Sequence, residues 1–274
     1  MVRIVRELSA AQLRQEISAR NVLRGADFEH ELSWSAAPSV IYREADGGGH
    51  GNFLAASYAR IVARPEWRRR LRKSYTASRF VPRAGDRKRY ELECANSSDA
   101  LLMNVFCYPR VMSAGLCGLL GVDAGTRPEF GFAARVPLKN GRVDRTEIDM
   151  KLDGLLVEAK LTEGDFQRAP VRLLERYRDV SEVFDLASLP VRGEVVHSWQ
   201  VIRGVLAAHA LGGSFALVCD GRRGDLMEAW FGVVRAVQDC SLRTRLGLVT
   251  WQEIAACIPL RVRRFLGEKY GITC

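Results

Sequence analysis

The chain has 274 residues, of which 47% are hydrophobic, so it is long enough for one large domain or two small ones with a sizeable core. Its formal net charge of +9 favours an anionic partner, with nucleic acid first. The seven cysteines are scattered and form no CxxC motif, which indicates reduced thiols in a cytoplasmic protein and argues against a disulfide framework or a zinc site. The opening stretch, MVRIVRELSAAQLRQEI, is charged throughout and has no apolar signal-peptide core.

Residues 1–95 are predicted to form an N-terminal accessory region that is mainly helical and basic. A Ser cap opens an amphipathic helix at residues 9–22. The glycine-rich loop at residues 44–52 lacks the Gly-Lys-Ser/Thr of a phosphate-binding loop, so its glycines indicate turns. Helical periodicity then covers residues 53–75, with a break near Pro65.

A densely basic run lies at residues 68–89. A solvated helix face and contact with phosphates explain such a run about equally well. The aromatic residues Trp67, Tyr75 and Phe80 lie within or beside it, which favours contact with nucleic acid. The side chains that would then meet phosphates are Arg68, Arg69, Arg70, Arg72 and Lys73.

Residues 96–274 are predicted to form an α/β domain with a central mixed sheet, a three-stranded meander plus further strands, flanked by helices. The most apolar stretch, residues 100–122, is interrupted by Pro109, which predicts two buried helices and not a membrane span. The later elements are predicted as strands at 130–138, 214–219 and 246–250, and helices at 171–184, 195–211, 225–237 and 252–268.

The stretch TEIDMKLDGLLVEAKLTE, residues 146–163, is predicted to be a β-hairpin. Two segments of alternating polarity flank Asp153-Gly154, and both central positions of a type I′ turn favour such residues. The register that this turn imposes pairs Lys151 with Leu156, Asp149 with Glu158, Ile148 with Ala159, and Glu147 with Lys160.

The predicted pairing of Asp149 with Glu158 is costly, because like charges directly across a strand pair repel. At a separation of about 5 Å the cost is ~1 kcal/mol in water and ~3 kcal/mol at an effective dielectric constant of about 20. A solvated hairpin explains the alternation but not this pairing. A divalent cation would turn the repulsion into coordination, since hard oxygen ligands suit Mg²⁺ and Mn²⁺, and the metal interpretation is therefore favoured.

The central sequence pattern is Asp149, then eight residues, then Glu158-Ala159-Lys160. It lies on two adjacent predicted strands that follow a helix and precede a helix and a strand. This pattern resembles the PD-(D/E)XK nuclease superfamily. The resemblance covers about residues 96–220, with Ile148 in place of the superfamily's Pro. It implies a restriction-endonuclease-like fold in which Asp149 and Glu158 hold one or two Mg²⁺ (or Mn²⁺) ions. Lys160 would orient the attacking water and stabilise the developing charge, a role that suits a compact ammonium.

Supporting residues around this motif are less well defined. Glu147, across from Lys160, is equally well explained as a supporting partner and as a simple cross-strand salt bridge. Related nucleases often place a Gln after the Glu-x-Lys strand, which makes Gln167 and Gln200 candidates, although a structural role is favoured for both. For an acidic residue on the preceding helix the candidates are Glu91, Glu93 and Asp99, and a cap or surface role is favoured for each.

Three functions stay open, of which the third is a non-catalytic interaction protein whose hairpin acids are solvated. The first is a metal-dependent nuclease that hydrolyses phosphodiester bonds of nucleic acid, with DNA as the expected substrate. The second is a catalytically inactive nuclease-fold module that binds nucleic acid or a protein partner. The intact set of Asp149, Glu158 and Lys160 favours the first. The sequence leaves open the strandedness and specificity of the substrate, and the choice between a monomer and a homodimer.

Overall fold

The computed structural model describes residues 7–33, 38–74 and 89–274. By packing, the described chain divides into two compact units. The sheet unit comprises Glu7 and Leu120–Thr250, and the helical unit comprises Leu8–Leu119 with Trp251–Cys274. The domain boundary after residue 95 stays a prediction, while residues 96–119 and the C-terminal helices group with the N-terminal region in the helical unit.

The N-terminal part of the helical unit opens with a capped helix. The Ser9 side chain accepts a hydrogen bond from the backbone N–H of Gln12 at 3.3 Å, and the backbone N–H of Ser9 donates to Gln12 Oε1 at 2.9 Å. The predicted helix at 53–75 is divided, because Pro65 starts a new helix at its first position. The elements are α1 (Ala10–Gly25), β1 (His30–Leu32), β2 (Val40–Tyr42), α2 (Ala55–Val62), α3 (Pro65–Arg68), 3₁₀ turns at Arg69–Arg72 and Glu91–Glu93, α4 (Ser98–Phe106) and α5 (Ala114–Leu120).

The sheet unit contains a five-stranded mixed sheet and a small three-stranded antiparallel sheet. Its strands are β3 (Pro128–Pro137), β4 (Val143–Leu152), β5 (Leu155–Ala159), β6 (Arg168–Pro170), β7 (Val191–Arg192), β8 (Val195–His197), β9 (Ser214–Cys219) and β10 (Leu246–Thr250). Its helices are α6 (Val171–Leu174), α7 (Val180–Val183), a 3₁₀ turn at Leu186–Ser188, α8 (Trp199–Leu211), α9 (Gly224–Ala236) and α10 (Cys240–Arg243).

The large sheet has the strand order β10-β9-β5-β4-β3. The meander β3–β4–β5 is antiparallel, whereas β5, β9 and β10 run parallel to one another. Helix α8 packs against β3, β5 and β9, and it approaches so closely that a Cβ on Gly204 would lie 2.2 Å from the Phe215 ring. The α/β class and the helix-flanked mixed sheet predicted from sequence are confirmed.

Two predicted helices of this unit have different boundaries. The segment 171–184 forms only the short helices α6 and α7. The segment 195–211 begins as strand β8 and becomes helical only after Ser198, whose φ of 56° is left-handed and interrupts a continuous helix. His197 consequently lies on a strand and not on a helix.

The chain ends with α11 (Trp251–Cys257) and α12 (Leu260–Tyr270) in the helical unit, where the sequence predicted one helix. Pro259 separates them. The Arg263 guanidinium donates hydrogen bonds to the carbonyls of Ala255 at 2.8 Å and Ala256 at 2.9 Å, which satisfies carbonyl groups at the end of α11.

Two further sequence predictions can be compared with the described chain. None of its helices combines the length and apolar character needed to cross a membrane. All seven cysteines are unpaired thiols, which agrees with the prediction that the chain has no disulfide framework.

Candidate active site

The predicted hairpin is present, but its strands separate sooner than expected. Next to the Asp153-Gly154 turn the register pairs Leu152 with Leu155, Lys151 with Leu156, and Met150 with Val157, as predicted. The β4–β5 ladder ends there. The predicted cross-strand pairs of Asp149 with Glu158, Ile148 with Ala159, and Glu147 with Lys160 are therefore wrong, because β4 leaves β5 at Met150.

Asp149 lies where both ladders of β4 are interrupted. On the β5 side its carboxylate accepts a hydrogen bond from the backbone N–H of Ala159 at 2.9 Å. On the other side the β3–β4 register pairs Phe130 with Met150 and Phe132 with Ile148, and passes over Gly131 and Asp149. Gly131 has a φ of 66°, so β3 is irregular directly opposite Asp149. This glycine within a strand is a signal that the sequence analysis missed.

Glu158 and Lys160 form a buried ion pair. Strand β5 is central in the sheet, and all five of its residues are buried. Lys160 Nζ lies 2.6 Å from Glu158 Oε1, and their side chains are only 6% and 5% exposed. The carboxylate of Glu158 is therefore paired with Lys160, whereas the sequence predicted Glu147 opposite Lys160 and Asp149 opposite Glu158.

The environment of Lys160 is acidic on several sides. Burial by itself lowers the pKa of Lys160. The carboxylates of Glu158, Glu163 and Asp149 outweigh this effect and raise the pKa above its usual value. Lys160 is therefore a protonated ammonium surrounded by acids, and this charge balance allows carboxylates to gather at the end of β5.

Glu163 and Arg223 belong to the same neighbourhood and were not identified from sequence. The Glu163 carboxylate accepts a hydrogen bond from the Leu161 N–H at 2.7 Å. Arg223, whose side chain is fully buried, donates to the carbonyls of Leu161 at 3.1 Å and Glu163 at 2.9 Å, and is held by Asp225 at 2.8 Å. Arg223 therefore fixes the segment that follows Lys160. Glu163 could have been found from its place three residues after Lys160, whereas Arg223 has no local signal.

The other predicted site residues lie in varied surroundings. Glu147 is exposed on β4 and pairs in register with Ala133 of β3. Gln167 is exposed, has a left-handed φ of 64°, and accepts from the Trp199 N–H at 3.2 Å through its carbonyl. The backbone N–H of Gln200 donates to the Phe166 carbonyl at 2.9 Å. Gln200 therefore lies in the first turn of α8, and Gln167 contacts the backbone of that turn. These contacts involve their backbones, and the supporting roles of all three residues stay predictions.

Two residues of the predicted basic run are engaged inside the helical unit. Arg70 is buried and its Nη2 binds both carboxylate oxygens of Asp99 at 3.0 and 3.1 Å. Lys73 Nζ lies 2.6 Å from Asp99 and 3.2 Å from Glu91. Phosphate contact by Arg70 and Lys73 is therefore not supported, because their charges are used internally. Arg68, Arg69 and Arg72 are exposed, and Tyr75 and Phe80 lie outside the described residues.

The three acidic candidates from the region before the hairpin, Glu91, Glu93 and Asp99, lie in the helical unit. Asp99 is buried, and although burial raises its pKa, Lys73 and Arg70 together hold that pKa below its usual value. Burial, followed by the charge of Asp99, raises the pKa of Glu91 to about 7. Glu93 is buried and accepts from the Tyr90 N–H at 3.1 Å. The predicted cap role is confirmed for Glu93, whose carboxylate accepts this N–H in a capping box at the 3₁₀ turn Glu91–Glu93. The surface role is wrong for Asp99, because it is buried and bound by Arg70 and Lys73.

The donor set beside Lys160 fits a small hard cation. In the part of the chain that the structure describes, no group of three or more His, Cys, Asp or Glu side chains is arranged as a metal site. Mg²⁺, however, is commonly bound by one or two carboxylates, with water and substrate phosphates as the remaining ligands. Asp149 and Glu158, which both act on Lys160, provide such a pair of carboxylates.

Comparison with known proteins gives one match. The sequence model of a family described as "Restriction Endonuclease associating with ARP" matches residues 29–271, which include the whole hairpin and Arg223. No curated protein and no solved structure matches the chain. The match confirms the restriction-endonuclease-like relationship that was predicted from the Asp149 and Glu158-Ala159-Lys160 pattern.

Proposed function

The chain belongs to the family of restriction endonucleases associating with ARP, and we propose that it is a metal-dependent nuclease that hydrolyses phosphodiester bonds of DNA. One observation carries the proposal. Where β4 and β5 separate, Asp149 is held by the Ala159 N–H at 2.9 Å beside the Glu158–Lys160 pair at 2.6 Å. The family supports a nuclease-type function that acts on nucleic acid, while the metal and the DNA substrate are our proposal.

Each side chain has a chemical role in this proposal. Asp149 and Glu158 would hold Mg²⁺ or Mn²⁺, which would supply Lewis-acid polarisation of the scissile phosphate and activation of a water. The Ala159 N–H fixes the orientation of the Asp149 carboxylate before substrate arrives. Lys160 is a charged donor that orients the attacking water and stabilises negative charge on the phosphate. Arg223 keeps the segment after Lys160 in place through the carbonyls of Leu161 and Glu163.

A second function is favoured by one specific observation. Glu158 and Lys160 are only 4% and 5% exposed, and each satisfies the charge of the other. A site closed in this way would also be expected in a nuclease-fold module that binds nucleic acid or a protein without cleaving. A cleavage assay distinguishes the two functions. Only in the nuclease must the Glu158–Lys160 pair become accessible to substrate and metal.

The test is incubation of the protein with supercoiled plasmid, linear duplex and single-stranded DNA, in Mg²⁺, Mn²⁺ or EDTA. We expect cleavage with metal and none in EDTA. Lys160→Met is expected to lower the rate by at least about 100-fold, the contribution typical of such positioned groups. Lys139→Met is the matched control, because Lys139 is an exposed lysine outside the hairpin. Absence of cleavage by the folded wild-type protein on all substrates, including RNA, would favour the inactive module.

A further inference from the structure

The helical unit contains two adjoining cavities that the proposed active site does not use. Their volumes are about 600 and 330 Å³, and they adjoin at Arg24 and Leu54, which line both; the two cavities are together called the groove. The larger cavity is also lined by Leu260, Arg261, Arg264, Phe265 and Glu268. The smaller is also lined by Phe28, Gly48, Gly49, His50, Phe53 and Tyr58, among others.

The groove carries positive charge that the fold itself does not explain. Arg261 and Arg264 lie three residues apart near the start of α12, so they share one face of the helix, and both are exposed. Cations at a helix N-terminus oppose the helix dipole and weaken the helix. Arg263 is explained by its bonds to the Ala255 and Ala256 carbonyls. In the described part of the chain, no carboxylate lies at ion-pair distance from Arg261 or Arg264. This holds also for Glu268, which lines the same cavity.

The wall opposite α12 combines a third arginine with an accessible aromatic ring. Arg24 donates to the Gly51 carbonyl at 2.7 Å, and its guanidinium lies 4.9 Å from the Phe28 ring and 5.0 Å from the Phe265 ring. Phe28 is 37% exposed, and Leu260 on the facing side is 57% exposed. Phe28 lines the smaller cavity and Leu260 the larger, so each cavity exposes a large apolar side chain beside Arg24.

The glycine-rich loop contributes open backbone to the same groove. A Cβ atom placed on Gly48 or Gly49 would meet no other atom within 4 Å, so the loop backbone is open at these two residues, which line the smaller cavity together with Phe28. The sequence predicted turns at these glycines. In the structure, Gly48 and Gly49 in addition line the smaller cavity of the groove. A ligand can therefore approach the backbone closely at this point.

We propose that this groove is an accessory binding site for single-stranded nucleic acid. Arg24, Arg261 and Arg264 would contact successive phosphates, while an unpaired base stacks on Phe28 against the apolar floor, the combination found in single-strand binding proteins. A duplex fits less well, because its bases are already paired and stacked and cannot enter a recessed cavity. The choice of nucleic acid as the ligand rests on the proposed function, but binding at this groove requires no cleavage.

The experiment measures the fluorescence anisotropy of a labelled oligothymidylate of about twenty nucleotides, and of a duplex of equal length, in EDTA at about 50 to 200 mM salt. The variants are Arg261→Gln/Arg264→Gln and, for stacking, Phe28→Leu. The control is Arg172→Gln/Arg235→Gln, which removes the same net charge from exposed arginines of the sheet unit. Circular dichroism establishes that each variant is folded.

We expect the wild-type protein to bind the single strand more tightly than the duplex. Losing two phosphate contacts should lower the salt slope by ~1.4 and weaken single-strand binding by roughly 10- to 30-fold. Phe28→Leu should weaken it by about 5- to 150-fold without changing the slope. The control pair should bind as the wild type does.

The proposal is overturned if the control weakens binding as much as the groove variant, since net charge alone would then be responsible. It is also overturned if the duplex binds as tightly as the single strand and Phe28→Leu has no effect. Loss of affinity for labelled polyglutamate without loss for the oligonucleotide would assign the groove to an acidic protein segment. Groove-dependent binding by a protein that cleaves no nucleic acid would refute the proposed function and leave this inference standing.

Discussion

Removing one member of the Glu158–Lys160 pair is expected to cost more stability than removing both. At 2.6 Å and an effective dielectric constant of about 20, the attraction is roughly 6 kcal/mol, while removing each ion from water costs several kcal/mol. The two contributions nearly cancel, so the intact pair adds little net stability. A single substitution leaves a buried charge without its partner, for which losses of about 3–5 kcal/mol are typical.

The neighbouring acids make the two single variants unequal. Lys160→Met leaves the Glu158, Asp149 and Glu163 carboxylates without their common cation, so it should lie at the upper end of that range. Glu158→Gln leaves Lys160 with two carboxylates that still attract it, so its cost should lie at or below the lower end. The double variant Glu158→Gln/Lys160→Met should lose less than Lys160→Met alone, about 1–2 kcal/mol, because the two acids that still lack the cation, Asp149 and Glu163, are only partly buried.

Urea unfolding followed by circular dichroism, in EDTA, measures all three free energies of unfolding. Lys139→Met, an exposed lysine in the β3–β4 turn, is the control and should change stability by less than about 0.5 kcal/mol. If the losses of the two single variants simply add in the double variant, Glu158 and Lys160 do not interact as a buried ion pair. The charge balance inferred for the end of β5 would then be wrong.

Three further variants test other parts of the structure. Asp149→Asn should abolish both cleavage and the rise in melting temperature that we expect Mn²⁺ to give the wild type, as followed by plasmid assays and thermal unfolding with and without metal. Arg223→Met should lower the free energy of unfolding by at least about 3 kcal/mol, because the buried carbonyls of Leu161 and Glu163 lose their donor; a loss below 1 kcal/mol in urea titration would contradict this. Burial lowers the pKa of Lys269 well below 10.5, so the unfolded chain binds more protons and stability should rise with pH up to about 10.5. Lys269→Met should remove that slope and raise stability at neutral pH, and an unchanged slope across a pH series would disprove the effect.

The hairpin shows how far local patterns determine this structure. The Asp153-Gly154 turn and the alternation on both sides correctly predicted the register of the three pairs nearest the turn. The separation at Asp149 could not be predicted in the same way. Strand β5 also pairs along its whole length with β9, which lies some sixty residues later, so its position depends on a partner that the local pattern does not reveal. The metal prediction was based on like-charge repulsion between Asp149 and Glu158. The structure instead places the Lys160 ammonium 2.6 Å from Glu158, and this pairing was not predicted.

Long-range contacts account for the remaining errors in the predicted site. Arg70 and Lys73 belong to a basic run that resembles a phosphate-binding surface, yet Asp99 captures both charges. Nothing in residues 68–73 indicates this partner, which lies nearly thirty residues later. Arg223 is likewise remote from the two carbonyls that it binds. Sequence periodicity identifies elements and turns, whereas buried charge pairing depends on the packed fold.

The position of Asp149 depends on the geometry of the sheet itself. In a continued antiparallel ladder the Ala159 N–H would donate to the main chain of β4 at Ile148. Here it donates to the Asp149 carboxylate at 2.9 Å, so a side chain of β4 takes the place of the missing main-chain acceptor. The backbone donor at the end of β5 is thereby satisfied while the strands diverge. Any change that restores the ladder would displace the carboxylate, so strand separation and the candidate active site are one structural feature.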